Sequence, residues 1–284
     1  MVKNVACFFT GAHTESNEMI NFLRKINGDL NFKQLCPNKT KRRKVRGGIE
    51  SVTNRNLIEC VSGLTGSALI RYVYNYLDTY RDECTNFDAL IIEDDLDGHF
   101  FEIGTDGQKK SSKTKEFSEH CKLIKNQIVQ KLGKNDDFPV IFLYAAPEVE
   151  TWLLSDWNNS FGYVYGPKKL QCLTTEENRY FSARFQPYVN EHVLMEYCSC
   201  IENYGYFNNE YCKLSDKLIA SLREFKVFIS EDSTEIPQSI AQNQALRYSK
   251  KNHGDAMLQN LSPEKVKDKC PLYFAEAFDA IKNL

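Results

Sequence analysis

The chain has no long hydrophobic run. Its apolar stretch Val140 to Ala146 is far short of the ~20 residues that cross a bilayer, and the mean hydropathy is −0.48, so no membrane partner is expected. It has no excess of one charge sign either: Lys and Arg total 36 against 38 for Asp and Glu, a net charge of −2, so bulk charge neither requires nor excludes a nucleic-acid partner. No Cys-x-x-Cys pair occurs among the ten cysteines. Cys198, Cys200 and Cys212 with His192 come nearest to a zinc cluster but lack its usual spacing, so reduced and mostly buried thiols are the expectation. The opening MVKNVACFFTGAHTE has neither an adequate apolar core nor a small-residue cleavage site for a secretory signal, and a cytoplasmic location is expected. There is no P-loop, GxSxG, HExxH or dinucleotide glycine fingerprint, which leaves ATPase, serine hydrolase, zinc protease and Rossmann dehydrogenase readings without support. No repeat or low-complexity stretch appears.

What is present is a globular composition: 284 residues, 42% hydrophobic, 12% aromatic and 26% charged. Asn4 to Thr10 is short and apolar and reads as a buried strand; Met19, Ile20, Phe22, Leu23 and Ile26 then recur at helical spacing up to Gly28, with Thr14 or Ser16 as the cap. A second helix is expected at 67–81 and a strand at 88–93. A third helix is expected at 113–132 and a strand at 138–146. Such alternation predicts an α/β fold with a mainly parallel sheet flanked by helices over residues 1–157. Beyond Trp157 a turn-rich connector leads to a mostly helical lobe, 158–284, with helices expected near 189–202, 215–225, 236–249 and 275–284.

The most informative run is Ile91-Ile92-Glu93-Asp94-Asp95-Leu96-Asp97-Gly98, where an apolar strand runs into four acids and a glycine. In an open parallel sheet, ligands bind beyond the carboxyl ends of the strands, so these acids stand where chemistry is done. In extended backbone, Asp95 and Asp97 point to one side and offer hard oxygen ligands to Mg²⁺ or Mn²⁺. Two further strands end near acids. The first leads into Thr10-Gly11-Ala12-His13-Thr14-Glu15 and the last into Pro147-Glu148-Val149-Glu150. If these strands are neighbours, Glu15, Asp95, Asp97 and one of Glu148 or Glu150 converge into a cluster that metal, a shared proton or basic partners must stabilise. Helix capping is the competing role for Glu15 and Glu148. In a helix Glu148 and Glu150 point roughly 200° apart, so at most one of them faces the site.

A basic stretch, Lys39-Thr40-Lys41-Arg42-Arg43-Lys44-Val45-Arg46, carries six cations in eight positions before Gly47-Gly48. It reads as a loop suited to phosphate contact, with Lys41, Arg42, Arg43, Lys44 and Arg46 as nucleic-acid ligands; Lys109 and Lys110 start a weaker patch. Trp152 and Trp157 read as core anchors rather than stacking platforms. His99 and His120 carry no spacing that selects them.

The acid pattern resembles the TOPRIM-like fold, in which an acid after the first strand and a later Asp-x-Asp hold divalent metal for phosphodiester chemistry. Glu150-Thr151-Trp152-Leu153-Leu154-Ser155-Asp156 is similar to the Glu-x-Trp-x-Leu-x-Asp segment of a small bacterial TOPRIM-like family, often encoded beside ATPases in phage-defence loci. Tyr248-Ser249-Lys250, His253-Gly254 and Cys270-Pro271-Leu272-Tyr273-Phe274 resemble its closing Tyr-x-Lys, His-Gly and Cys-Pro-x-x-Phe patterns. The resemblance implies a Mg²⁺- or Mn²⁺-dependent nuclease related to the TOPRIM part of overcoming-lysogenization-defect nucleases. It assigns Glu15, Asp95, Asp97 and Glu150 as catalytic metal ligands, and it favours Glu150 over Glu148. It also implies a nucleic-acid substrate, DNA or RNA, a role in phage defence and an ATPase partner. One departure stands out: the family carries Glu-Gly-x-Thr-Glu after the first strand, whereas here Thr10 replaces the first Glu and one residue is inserted. The missing Glu is the family's acid/base, which leaves a non-catalytic nucleic-acid or nucleotide-binding module, or a regulatory subunit, as the alternative.

Overall fold

The computed structural model describes residues 2–10, 14–37, 41–45, 48–52, 64–97, 99–103, 110–112, 114–166, 175–195, 200–204, 206–207, 210–211, 213–232 and 248–284. Strand β1 (Asn4–Phe9) leads through helix α1 (Thr14–Ile26) to β2 (Asn31–Cys36). A hairpin of β3 (Lys41–Val45) and β4 (Gly48–Val52) follows, then α2 (Gly66–Thr79) and β5 (Ala89–Asp95). A second small hairpin, β6 (Phe101–Ile103) and β7 (Lys110–Ser112), precedes α3 (Thr114–Leu132) and β8 (Val140–Ala145). β2, β1, β5 and β8 form, in that order, a four-stranded sheet in which every pair is parallel. The fold is α/β, a parallel sheet flanked by helices, as the alternation of periods required.

Both faces of this sheet are covered. Val5, Cys7 and Phe9 of β1 point to one face with Ile91 of β5 and Leu143 of β8, against α1 and the C-terminal helices. Ala6 and Phe8 alternate to the other face with Leu90 and Ile92, against α2 and α3. Burial on both faces is why the central strands read as unbroken apolar runs. β2 at the sheet edge alternates in exposure along NFKQLC, and that polar half hid it from the periodicity reading.

Downstream of β8 the chain forms α4 (Glu150–Ser155), α5 (Thr175–His192), α6 (Leu214–Asp232), α7 (Asp255–Asn260), α8 (Pro263–Lys269) and α9 (Phe274–Lys282). Trp152 is fully buried, stacked 5.7 Å from Phe22 of α1 and edge-to-face at 5.1 Å with Phe274 of α9, so it ties the two halves of the chain into one core. Trp157 is buried against Phe161. The carboxylate of Glu202, fully buried, accepts the backbone N–H of Leu272 (2.5 Å), Tyr273 (3.0 Å) and Phe274 (3.3 Å). It thereby caps α9 from outside and fixes the Cys-Pro-x-x-Phe turn.

Two expectations change and a third lies outside the described residues. The helix expected at 189–202 runs instead from Thr175 to His192, its buried stripe being Phe181, Phe185, Tyr188 and Val189; Pro187 sits inside it with both Pro187 and Ala183 exposed, so the carbonyl the proline cannot bond faces water. Of the basic stretch expected as a loop, Lys41–Val45 is a strand, β3, paired antiparallel with β4 so that Arg43 lies opposite Glu50. The helix expected at 236–249 lies outside the described residues up to 247, and Lys250–Gly254 is a single π-helical turn. The helices expected at 215–225 and 275–284 are α6 and α9. Among the described residues no helix is long and apolar enough to cross a membrane.

Candidate active site at the carboxyl ends of the strands

β2 lies on one side of β1, whereas β5 and β8 lie on the other, so the chain order reverses between β1 and β5. The crevice beyond the carboxyl ends at such a reversal is where open parallel sheets bind ligands. At this point β1 ends in Thr10, whose N–H lies 3.0 Å from the Glu93 carbonyl and 3.1 Å from Glu93 Oε2. The Thr10 hydroxyl donates to the Leu64 carbonyl at 2.8 Å. Thr10 is thus a packing and hydrogen-bonding residue with no acid to offer.

Strand alternation sorts the acids of β5. Glu93 and Asp95 continue the Ile91 face, and Asp94 continues the Ile92 face towards α2. Asp94 is fully buried and accepts the Gly66 N–H at 2.6 Å and the Asp95 N–H at 2.9 Å. Asp95 accepts the Val149 N–H on Oδ1 at 2.9 Å, which locks the turn after β8 to the end of β5. Glu150, the first residue of α4 and fully buried, accepts the Tyr248 hydroxyl on Oε1 at 2.8 Å. Lys250 Nζ stands 3.1 Å from Glu150 Oε2 and 3.8 Å from Asp95 Oδ2, bridging the two carboxylates. Glu148 sits before α4 rather than in it, and its Oε2 accepts the Ser215 N–H at 3.2 Å.

Asp97 is placed differently from the extended geometry the sequence invited. β5 stops at Asp95, and Asp97 adopts a left-handed φ of 49°, which turns the chain. Its N–H donates to the Pro147 carbonyl at 2.8 Å, and its part-exposed carboxylate faces Lys213 Nζ at 3.8 Å, not Lys250. Glu15 lies in the first turn of α1, directly after β1, with its side chain outside the described part. Lys41, Arg42, Arg43 and Lys44 are strand positions of β3, and Lys110 opens β7; His13, Arg46 and Lys109 lie outside the described residues.

Crowding of acids in a dry site shows in their proton affinity. Burial pushes the Asp94 carboxyl up to about 7 against the hydrogen bonds from Gly66, Asp95 and Thr10 that favour its charged form. Burial also raises Glu150, with nearby Glu148 adding to it, although Lys250 and Tyr248 pull the other way. Desolvation thus favours the neutral form of these carboxyls, and a cation brought beside them would favour the charged form. Among the described residues no three His, Cys, Asp or Glu side chains already form a metal-holding group. By type, all-carboxylate oxygen donors suit a hard divalent ion, and the positive charge now at Asp95 and Glu150 is the Lys250 ammonium.

Tyr248 and Lys250 are the site residues that sequence reasoning did not place here, although they sit in the Tyr-x-Lys segment. The signal was the acid cluster itself, which demanded a basic partner without saying from where in the chain it would come. No protein-family model, no curated protein and no solved structure matches this chain.

Proposed function

We propose that this protein is a divalent-metal-dependent phosphodiesterase acting on nucleic acid. The observation that carries the reading is the pair of carboxylates from two neighbouring strand ends, part-buried Asp95 after β5 and fully buried Glu150 after β8, both within 4 Å of Lys250 Nζ beside the point where strand order reverses. Asp95 and Glu150 are the residues that would hold Mg²⁺ or Mn²⁺, with Asp97 and Glu15 as the further ligands assigned by the TOPRIM-like resemblance. A bound divalent ion supplies charge neutralisation at the phosphate and an activated water.

The chain's own groups do the rest. The Val149 N–H orients Asp95, and the Tyr248 hydroxyl orients Glu150. Lys250, once its carboxylates turn to the metal, is a ready partner for a phosphate oxygen. Lys41, Arg42, Arg43 and Lys44 of β3, with Arg46, Lys109 and Lys110 in sequence, are the cations assigned to the nucleic-acid backbone. The setting, defence against phage beside an ATPase partner, rests on the family resemblance alone. A cytoplasmic place agrees with the free cysteines Cys7, Cys36, Cys84, Cys121, Cys200 and Cys270.

A second reading is a non-catalytic nucleic-acid or nucleotide-binding subunit, and one observation favours it: Thr10, a residue with no acid to offer, stands where the family's acid/base would be. The test is cleavage of single- and double-stranded DNA and RNA with Mg²⁺, Mn²⁺ or EDTA, beside an Asp95→Ala, Asp97→Ala variant. Metal-dependent cutting that the variant loses supports the enzyme. Binding of nucleic acid without cutting under any metal supports the second reading.

A further inference from the structure

A cavity of about 630 Å³ opens beside the acids, on the sheet face that α2 and α3 cover. Its size falls in the range of small-ligand sites, roughly 300–1,000 Å³. Tyr74 of α2, His120 of α3, Phe100 of the turn after β5 and Tyr144 of β8 give it aromatic walls. Arg71 and Gln127 stand among its few polar groups, and Asp94 and Asp95 form its inner end. Leu123 on its rim is 64% exposed, a large apolar side chain left to water.

The aromatic wall is held in place at some cost. Phe100 has a φ of 61°, a left-handed conformation that a bulky side chain rarely adopts. Its carbonyl accepts the Tyr273 hydroxyl at 3.3 Å, and its ring lies 5.4 Å from His120 and 5.5 Å from Phe117. These contacts fix an aromatic face a few residues beyond Asp95.

We propose that this cavity is a nucleobase pocket, taking one unstacked base of a single-stranded nucleic acid and so setting the adjoining phosphate at Asp95. The inference rests on the phosphodiesterase reading and names its substrate class. Flat aromatic walls with a few polar groups at the edge match a base, which stacks through its faces and hydrogen-bonds through its rim. An acyl chain would leave Asp94 and Asp95 facing hydrocarbon, and a bare phosphate would find apolar walls. A base inside a duplex cannot enter without being unstacked, so the pocket selects single strands.

The test uses the full-length protein, in EDTA, with a single strand carrying the fluorescent base 2-aminopurine, the matching duplex, and the free mononucleotide. Stacking on the aromatic wall quenches the single strand's fluorescence. The exposed-rim variant Leu123→Glu and the wall variant Tyr74→Leu, both checked for wild-type melting, weaken that binding by about five- to hundred-fold. Glu150→Gln, which lies outside the pocket lining, keeps the quenching while abolishing cleavage measured separately with Mg²⁺, which separates pocket from chemistry. Quenching that is absent in the wild type, or unchanged in both folded variants, overturns the pocket even if metal-dependent cleavage stands. Quenching by the free mononucleotide alone overturns the assignment to a strand. Pocket-dependent quenching with no cleavage under any metal supports the pocket and sinks the hydrolytic reading instead.

Discussion

Glu150 and Glu202 are both fully buried, and they are satisfied in opposite ways. Glu202 takes three N–H groups from the backbone of residues 272–274, donors that cannot leave without unfolding the turn before α9. Glu150 takes a phenol and an ammonium, on side chains that can rotate away. A buried acid bolted by backbone holds structure; one held by movable side chains can exchange its partners for a ligand. The same contrast divides one short segment: Glu150 faces the site, whereas Asp156, six residues on, accepts the Ser262 N–H at 3.0 Å and pairs with Lys265 at 2.9 Å.

The largest expected effect is on pH dependence. Burial pushes both Asp94 and Glu202 up to about 7, although Glu202 has its three N–H donors pulling down. In the unfolded chain these carboxyls release their protons near pH 4, so between about 4 and 7 the native state binds more protons than the unfolded one. Their contribution is fully present below pH 4 and is lost as pH rises through 7, amounting to several kcal/mol. Urea unfolding at pH 5, 6 and 7 should show a gentler fall for Glu202→Gln and for Asp94→Asn than for wild type; parallel profiles would refute the assignment.

Next is the truncation Glu202→Ala, which orphans three buried N–H groups and should cost about 3 kcal/mol in the unfolding free energy. Asp95→Asn with Glu150→Gln should cost nothing or stabilise, because the pair belongs to a crowded site. A loss as large as that of Glu202→Ala would erase the contrast.

The same double variant sharpens the comparison from the ligand side. Mg²⁺ at about 100 times its Kd should stabilise the wild type by about 2.7 kcal/mol and leave the double variant unmoved, while Glu202→Gln keeps the full Mg²⁺ shift. Smallest is the basic strand. Arg43→Ala in β3 should lower the slope of log affinity against log salt by about 0.7 for a single strand, the value for one lost phosphate contact. An unchanged slope would place nucleic acid elsewhere.

What could be read from the sequence follows burial. β1, β5 and β8 are covered on both faces, so their apolar runs announced them; β2 at the edge is polar on one side and did not. The acids at the ends of β5 and β8 were legible because charge straight after a buried strand is anomalous. Lys250 was not, since nothing local to a lysine records that its partner lies 100 residues away. The misreading of Asp97 has a local cause: two-residue spacing implies one face only while the backbone stays extended, and the left-handed turn ends that after Asp95. The Glu-x-Trp-x-Leu-x-Asp pattern mixes tasks that a pattern cannot separate, with Glu150 serving the site, Trp152 and Leu154 the core, and Asp156 the docking of α8.

Lys250 opens a π-helical turn, Lys250–Gly254, that runs directly into α7. A π turn holds one residue more than an α turn. Deleting a single residue there would restore ordinary helical phase and swing the ammonium by about 100° around the axis, away from Asp95 and Glu150. In evolutionary terms, one codon gained or lost suffices to arm or disarm the acidic cluster while the sheet beneath it stays unchanged.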